Sequence, residues 1–260
     1  MRTVFALTVM LLATPVFAIV VIGAGLLGIP NRPNGIYDRA PRLWSRIALW
    51  AAGVRLVLHG EQQLRPFKPR VFVSNHVSWY DIFTLLAILP RYRFVAKAEL
   101  FKIPLFGPAA RRAGTIPIQR ENKKAAFQAY EEAAREIRGG ASVVVCPEGT
   151  RGETYSLRPF KKGPFVLAIA AQTPVVPLVI YGTREVQRKG SFVIRSGTVH
   201  VHFLDEIPTA GMEYQNRDML ADECWRRMAA ALERDHGVTS AALPTGRRRT
   251  PREETVPVEG

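Results

Sequence analysis

The chain has 260 residues, which is enough for one sizeable α/β domain with an appendage and too few for two unrelated globular domains of ordinary size. Its formal net charge of +14 favours a polyanionic partner: nucleic acid, an anionic membrane surface or a phosphorylated substrate. Cys146 and Cys224 lie far apart and match no metal-ligand spacing, so the sequence predicts a reducing compartment and neither a structural disulfide nor a zinc site.

The first element in chain order is an apolar stretch from Thr3 to Ile29, longer than the roughly 20 helical residues that cross a bilayer core. Val16-Phe17-Ala18 weakly matches a signal-peptidase site, but the apolar run continues beyond it, which favours retention. Four arginines follow the stretch: Arg32, Arg39, Arg42 and Arg46. Because positive charge is enriched on the cytoplasmic side, the sequence predicts a membrane anchor with the downstream chain in the cytoplasm.

The next segment, Asp38–Ala52, has the pattern of an amphipathic helix. We expect Leu43, Ile47, Trp50 and Ala51 on its apolar side. Its arginines would suit a lipid headgroup layer, and an ordinary core-facing helix fits the pattern nearly as well. We therefore divide the chain into a membrane-anchoring helical segment (1–53), a domain (54–237) and a disordered basic tail (238–260).

The remainder alternates between strand and helix patterns, which is typical of an α/β domain with a mixed, largely parallel sheet flanked by helices. The predicted strands are Val54–His59, Arg70–Ser74, Arg93–Lys97, Thr115–Ile118, Ser142–Cys146, Val175–Tyr181, Phe192–Arg195 and Val199–Leu204. The predicted helices are Ile82–Ile88, Lys123–Arg138, Pro164–Ala171 and Asp218–Arg234. Asn122 is expected to cap the second of these helices.

The segment Val71–Asp81 places a histidine and an aspartate where a strand gives way to a helix. On one ideal helix His76 and Asp81 would point about 140° apart and could not pair. If Ser78 is the N-cap, however, His76 lies outside the helix, and its loop can bend back so that the carboxylate fixes the imidazole tautomer. In the alternative interpretation, Ser78-x-x-Asp81 is only a capping box and His76 an ordinary loop histidine.

Two further strand ends carry polar groups. Pro147 breaks a buried strand pattern and is followed by Glu148-Gly149-Thr150-Arg151, at the sheet edge where open α/β sheets bind ligands. The segment Gly114–Arg120 delivers Arg120 to the end of a short strand, where a planar guanidinium suits a phosphate monoester. Taken separately, the first pattern is also an ordinary turn and the second a solvated surface charge.

Together and in this order, the blocks around His76 and Asp81, Gly114–Arg120, Pro147–Arg151 and Val176-Pro177 resemble the four motif blocks of the glycerolipid acyltransferases. The bacterial 1-acyl-glycerol-3-phosphate acyltransferase branch is the most similar. The resemblance spans roughly Val54 to Arg184 and implies a glycerol-3-phosphate acyltransferase-like α/β fold. It further implies an enzyme of the cell inner membrane whose catalytic domain faces the cytoplasm.

The resemblance also implies a reaction. A fatty acyl group would pass from acyl-CoA or acyl carrier protein to the free hydroxyl of lysophosphatidate, with no cofactor or metal beyond this acyl donor. His76 matches the catalytic base and Asp81 its orienting partner. The positions matched to acceptor binding are Arg120, Glu148, Gly149, Thr150, Arg151 and, in the segment FVAKAEL, Lys97.

Two residues depart from the family pattern, namely Cys146 in place of the usual phenylalanine and Gly152 in place of a common serine. Both leave the ionic groups intact, so they affect packing or acceptor preference. Backbone N–H groups near the Ser78 helix entrance are expected to stabilise the oxyanion of the thioester carbonyl.

Two other interpretations stay open at this stage. The acceptor could be another lysophospholipid or a lyso-aminolipid. A membrane-tethered basic binding protein would account for the charge but not for the order of the four blocks. Membrane lipid is an expected partner, and nucleic acid is not.

Overall fold

The structure is a computed structural model that describes residues 1–63, 68–89, 91–119 and 122–241. The helices of these ranges are α1 (Arg2–Leu26), α2 (Ile36–Ala52), α3 (Trp79–Ile88), α4 (Phe106–Arg112), α5 (Lys123–Arg138), α6 (Gly163–Ala170), α7 (Thr183–Val186) and α8 (Arg217–His236). The strands are β1 (Val54–His59), β2 (Val71–Ser74), β3 (Tyr92–Lys97), β4 (Ile116–Ile118), β5 (Ser142–Val145), β6 (Val175–Tyr181) and β7 (Gly197–Phe203). The predicted tail lies almost wholly outside the described residues.

The seven strands form one sheet in the order β1-β7-β6-β2-β5-β3-β4. The pairs from β6 to β4 and the β1–β7 pair are parallel, and β6 pairs with β7 antiparallel. The expectation of a mixed, largely parallel sheet is confirmed. The carboxyl ends of β2, β3, β4, β5 and β6 consequently share one edge of the sheet, and the loops that follow them are neighbours.

Helices cover both faces of the sheet, which explains why the central strands β2 and β5 are continuous apolar runs. Val71, Val73 and Val143 point to one face, where they pack in a cluster with α5, α6 and α8. Phe72 and Val144 alternate to the other face, where they pack in a cluster with α1, α2 and α3. Fully burying a side chain of this size contributes about 1.5–3 kcal/mol, so the two clusters hold the strand ends in a fixed arrangement.

Most element bounds lie within three residues of the sequence prediction, and the predicted strand Phe192–Arg195 is wrong. This segment has no regular structure, and Phe192 and Val193 are exposed. The main chain of Ile194 bonds to a side chain instead of a strand: its N–H donates to Thr3 Oγ1 at 3.0 Å and its carbonyl accepts from the same hydroxyl at 3.1 Å. The short apolar run indicated a strand, but a long-range contact with Thr3 replaces strand pairing.

The predicted apolar side of α2 is divided between solvent and core: Leu43 and Trp50 are exposed, and Ala51 is buried. The buried residues of α2 include Ala48, Leu49 and Ala51, which face α1 and the sheet cluster. Small alanine side chains allow the helix axes to approach closely, so the larger apolar residues remain on the outer side.

Both N-terminal helices are held on the α/β domain. Ala6 of α1 is completely buried in the cluster that includes Phe72. Asp38 of α2 forms a buried ion pair with Arg93 of β3, with 3.3 Å between its Oδ1 and the guanidinium Nη1. This contact joins α2 to β3 in the interior of the protein.

Candidate active site

The candidate site lies at the carboxyl edge of the sheet, in the loop that follows β2. Asn75, the first residue of this loop, is buried and bonds to β6 on both sides of its amide: Nδ2 donates to the Ile180 carbonyl at 2.9 Å, and Oδ1 accepts the Ile180 N–H at 2.8 Å. These two bonds mimic a strand pair and fix the start of the loop against its neighbour. His76, the next residue, therefore leaves the sheet from a rigid position.

His76 and Asp81 form a hydrogen-bonded pair, with 2.8 Å between His76 Nδ1 and Asp81 Oδ2. Ser78 is the N-cap of α3 and Asp81 its third residue, so His76 precedes the helix and its ring bends back over the first turn. The Asp81 side chain is 0% exposed, and that of His76 is 16% exposed. With Nδ1 bonded to the buried carboxylate, Nε2 is the ring nitrogen available to a substrate.

The predicted capping box is present as well, so the two sequence interpretations of Asp81 hold together. Asp81 Oδ2 also accepts the main-chain N–H groups of Val77 at 2.7 Å and Ser78 at 2.8 Å. One carboxylate thus begins the helix and orients the imidazole.

The N–H groups of Val77, Ser78 and Tyr80 do not form the oxyanion site that was expected at the entrance of α3. Those of Val77 and Ser78 are donated to Asp81, and that of Tyr80 is donated to Ser78 Oγ at 3.2 Å. A group already donated inside the protein cannot stabilise charge on a substrate.

Glu148 supports the histidine loop from the neighbouring strand, β5. Its Oε1 accepts the His76 N–H at 3.2 Å, and its Oε2 accepts Arg158 Nε at 3.0 Å. Burial raises the pKa of the Glu148 carboxyl, and the bond to Arg158 opposes this effect. A second bond, from the Gly152 N–H to the His76 carbonyl at 2.7 Å, joins the same two loops. The structure therefore places the Glu148 carboxylate behind the His76 backbone.

Gly149, Thr150 and Arg151 continue from Glu148 toward the surface. Gly149 has a φ of +80°, a left-handed backbone conformation that favours glycine. The Thr150 carbonyl accepts a bond from the Arg158 guanidinium. The Arg151 guanidinium lies 4.9 Å from the centre of the Trp79 ring, a cation–π contact at the first residue of α3.

Of the two remaining predicted residues, the structure describes Lys97, which lies farther along the same edge. Lys97 ends β3, two strands from β2, and its exposed Nζ is 3.6 Å from Glu99 Oε1. Arg120 lies outside the described residues; β4 runs parallel to β3 with Ile118 opposite Lys97. A cavity of about 670 Å³ opens beside these strand ends, and its lining includes Lys102 and Arg111. The structure brings His76, Asp81, Glu148 and Arg151 together and does not bring Lys97 into contact with them.

Two residues that the sequence did not single out complete the surroundings of Asp81. Thr183, which begins α7 after β6, is fully buried and donates its hydroxyl to Asp81 Oδ1. Tyr155 accepts the N–H groups on both sides of Thr183, those of Gly182 at 2.7 Å and Arg184 at 2.9 Å. Thr183 and Asp81 are 102 residues apart, so the one signal in the sequence was a small polar residue directly after a strand end.

The described residues contain no group of three or more histidine, cysteine, aspartate or glutamate side chains that could hold a metal ion. Cys146 and Cys224 are not joined by a disulfide.

Comparisons with known proteins identify the family. Residues 55–181 match the acyltransferase family model, and the chain belongs to the acyltransferase family. It is 32% identical over 192 residues to a chloroplastic 1-acyl-sn-glycerol-3-phosphate acyltransferase of Brassica napus, covering 74% of this chain and 54% of that protein. It is 35% identical over 178 residues to the human 1-acyl-sn-glycerol-3-phosphate acyltransferase beta, covering 68% of this chain and 64% of that protein.

The chain thus spans about half to two thirds of the length of these relatives. Among solved structures, that of the 1-acyl-sn-glycerophosphate acyltransferase PlsC from Thermotoga maritima is similar with a TM-score of 0.72. It covers 93% of this chain and 100% of that one at 21% identity. At this identity the likeness establishes the fold.

We predict that Asp81→Ala destabilises the fold much more than His76→Ala does. Removing the carboxylate leaves the buried Val77 and Ser78 N–H groups without an acceptor, which costs about 2–4 kcal/mol in the free energy of unfolding. His76→Ala removes only one donor from a carboxylate that keeps its other bonds. Urea unfolding of both variants tests this, and equal stability of the two would contradict the placement of Asp81 at the helix entrance.

Proposed function

We propose that the protein transfers a fatty acyl group from acyl-CoA or acyl carrier protein to the free hydroxyl of 1-acyl-glycerol-3-phosphate, giving phosphatidic acid. The observation that carries this proposal is the bond between His76 Nδ1 and the buried Asp81 carboxylate at the carboxyl edge of an acyltransferase-family domain. The relatives named as 1-acyl-sn-glycerol-3-phosphate acyltransferases support this choice of acceptor.

The proposed reaction is a direct transfer. His76 Nε2 takes the proton of the acceptor hydroxyl as its oxygen attacks the thioester carbonyl carbon, and the C–S bond then breaks. The proton passes from His76 to the leaving sulfur, so the products are an ester and a free thiol. Asp81 holds the imidazole in the tautomer with the proton on Nδ1 and stabilises the imidazolium that forms transiently. A thioester is already activated, so no further cofactor or metal is proposed.

The acceptor's phosphate would be bound by cationic groups along the same edge. We assign this role to Arg120 and Arg151, with Lys97 assisting and the Glu148–Thr150 backbone shaping the turn. Arg120 and Lys97 follow adjacent parallel strands, and Arg151 follows the next strand toward His76. Two guanidinium groups can hold phosphate oxygens through paired hydrogen bonds, which an ammonium cannot do.

We further propose that α1 and α2 bind a membrane, which places the site at the cytoplasmic surface of the cell inner membrane. Helix α1 is long and apolar enough to cross a bilayer. The exposed apolar residues of these helices include Leu11, Leu12 and Val16 of α1 and Trp50 of α2. Exposed apolar surface of this extent on docked helices suits contact with acyl chains, where a lyso-lipid acceptor resides.

We predict that His76→Ala reduces acyl transfer by about 10²- to 10⁴-fold because the general base is lost. The exposed histidine His59 supplies a matched control, and His59→Ala should retain wild-type turnover. Release of free thiol from acyl-CoA in the presence of lysophosphatidate gives the rate. Unchanged turnover of the His76→Ala protein would rule out the proposed mechanism.

For the acceptor site, we predict that Arg120→Ala lowers kcat/KM for lysophosphatidate by roughly 10- to 100-fold and leaves the KM of the acyl donor nearly unchanged. Charge-assisted hydrogen bonds contribute about 1.5–3 kcal/mol each, which corresponds to that range. Arg120→Lys should recover only part of the loss because it lacks the planar guanidinium.

The exposed Arg226 on α8 supplies the control for this experiment, since Arg226→Ala also removes one positive charge. Steady-state constants for both substrates are measured for each variant. An equal effect of Arg120→Ala on donor and acceptor would remove Arg120 from the acceptor site and favour the lyso-aminolipid acceptor.

We predict that the double substitution Leu11→Glu and Leu12→Glu releases the protein from membranes while the fold is kept. Both side chains are exposed, so the charges are placed on the outer surface of α1. Phe192→Glu tests a comparably exposed apolar residue that lies outside the two helices. Sedimentation with anionic vesicles in high salt distinguishes apolar binding from screened arginine contacts. Sedimentation of all three proteins to the same extent would show that α1 does not supply the attachment.

A further inference from the structure

Thr183 occupies the side of the Asp81 carboxylate that His76 does not reach. Asp81 Oδ2 accepts from His76 Nδ1, Val77 N and Ser78 N, whereas its other oxygen, Oδ1, accepts the Thr183 hydroxyl. Thr183, like Asp81, is 0% exposed, so water does not substitute for this donor.

We propose that Thr183 is a positioning residue for acyl transfer, which acts through Asp81 to hold His76 in its reactive orientation. The proposal rests on the proposed function, because it assigns a task to Thr183 only if His76 is the base. It adds a third element, α7, to the two that the sequence motifs supply.

The physical reason is the geometry of a carboxylate. With three donors on Oδ2 and none on Oδ1, the group could rotate about its Cβ–Cγ bond to share the donors between both oxygens, and His76 would lose its fixed direction. A buried carboxylate oxygen without a donor is also costly, which favours such a rearrangement. The Thr183 hydroxyl removes both problems, since it satisfies Oδ1 and opposes rotation of the carboxylate away from His76 Nδ1.

Thr183 is itself fixed by its neighbours. Gly182 has a φ of +99°, and a Cβ there would lie 2.1 Å from the Thr198 carbonyl oxygen, so the turn before Thr183 requires glycine. The Tyr155 oxygen accepts the N–H groups of Gly182 and Arg184, and its hydroxyl donates to Glu185 Oε2 at 2.7 Å. Burial raises the pKa of Tyr155, with the Glu185 bond acting in the same direction, so the phenol keeps its proton and this bond. The backbone on both sides of Thr183 is therefore held against the loop that follows the Glu148–Arg151 block.

The test uses three variants that separate the hydroxyl from the shape of the side chain. Thr183→Val keeps the shape and loses the hydroxyl. Thr183→Ala and Thr183→Ser are both smaller than threonine, and only serine keeps the donor. We expect Val and Ala to lower kcat by roughly 10- to 100-fold, the range of one charge-assisted hydrogen bond, and serine to restore most of it. The KM values of donor and acceptor should stay within about threefold, because no substrate contact changes.

A second measurement needs no substrate. The protein has five histidines, so a sample labelled with ¹⁵N-histidine gives a simple NMR spectrum. The resonances of His76 are identified as those missing from the spectrum of His76→Ala. We expect the wild type to show His76 protonated on Nδ1 and shielded from exchange with water. This signal should broaden or disappear in Thr183→Val and Thr183→Ala and return in Thr183→Ser.

The outcomes separate this inference from the proposed function. Full turnover of Thr183→Val and Thr183→Ala, with His76→Ala inactive, overturns the role of Thr183 and leaves the proposed function in place. An equal loss in all three Thr183 variants, including serine, shows a packing role and also overturns it. If the wild type transfers no acyl group to any lyso-lipid, the proposed function fails, and an Nδ1–H signal that is identical in all variants then overturns the positioning role as well.

Discussion

The candidate site depends on one buried negative charge, the carboxylate of Asp81. A carboxylate without access to water must be surrounded by donors, since an unpaired charge in such a place would cost several kcal/mol. Its four donors come from three places: His76 and Val77 in the loop after β2, Ser78 at the start of α3, and Thr183 in α7. Satisfying this single group therefore sets the relative positions of a strand end, a helix entrance and a distant turn.

The parallel arrangement of the strands gives this group its surroundings. Because β2, β5 and β3 are adjacent and point the same way, His76, Glu148 and Lys97 lie at successive strand ends in space, although they are spread over 73 positions from 76 to 148 in the sequence. The Glu148 carboxylate, which follows β5, accepts the His76 N–H and so joins the ends of β5 and β2. A catalytic pair at one position and cations farther along the edge would suit a substrate whose reacting hydroxyl lies several bonds from its phosphate.

The parts of the fold and of the candidate site that depend on residues close together in the sequence could be predicted from it. The bounds of Val54–His59 and Val175–Tyr181 were predicted correctly. The second is a buried strand, and buried strands covered by helices have distinctive apolar runs. The pairing of His76 with Asp81 was also accessible, because an N-cap at Ser78 fixes the geometry over five residues.

The errors arose where distant residues decide the structure. In the predicted strand Phe192–Arg195, the main chain of Ile194 bonds to Thr3 instead of to a neighbouring strand. Thr183 is far from Asp81 in the sequence, and only the fold, through β6, brings the two side chains into contact. The Val77 N–H group, which was expected to stabilise an oxyanion, is already bonded to Asp81.

The central claim, acyl transfer to a lyso-lipid acceptor by a histidine base, is tested most directly by assaying the purified protein with a long-chain acyl-CoA and a panel of lyso-lipids. The panel contains lysophosphatidate, lysophospholipids with larger headgroups and a lyso-aminolipid. The account predicts the highest kcat/KM for lysophosphatidate, with one thiol released for each phosphatidic acid formed. Preference for the lyso-aminolipid would contradict the assignment of the acceptor, and absence of transfer to every lyso-lipid would contradict the account as a whole.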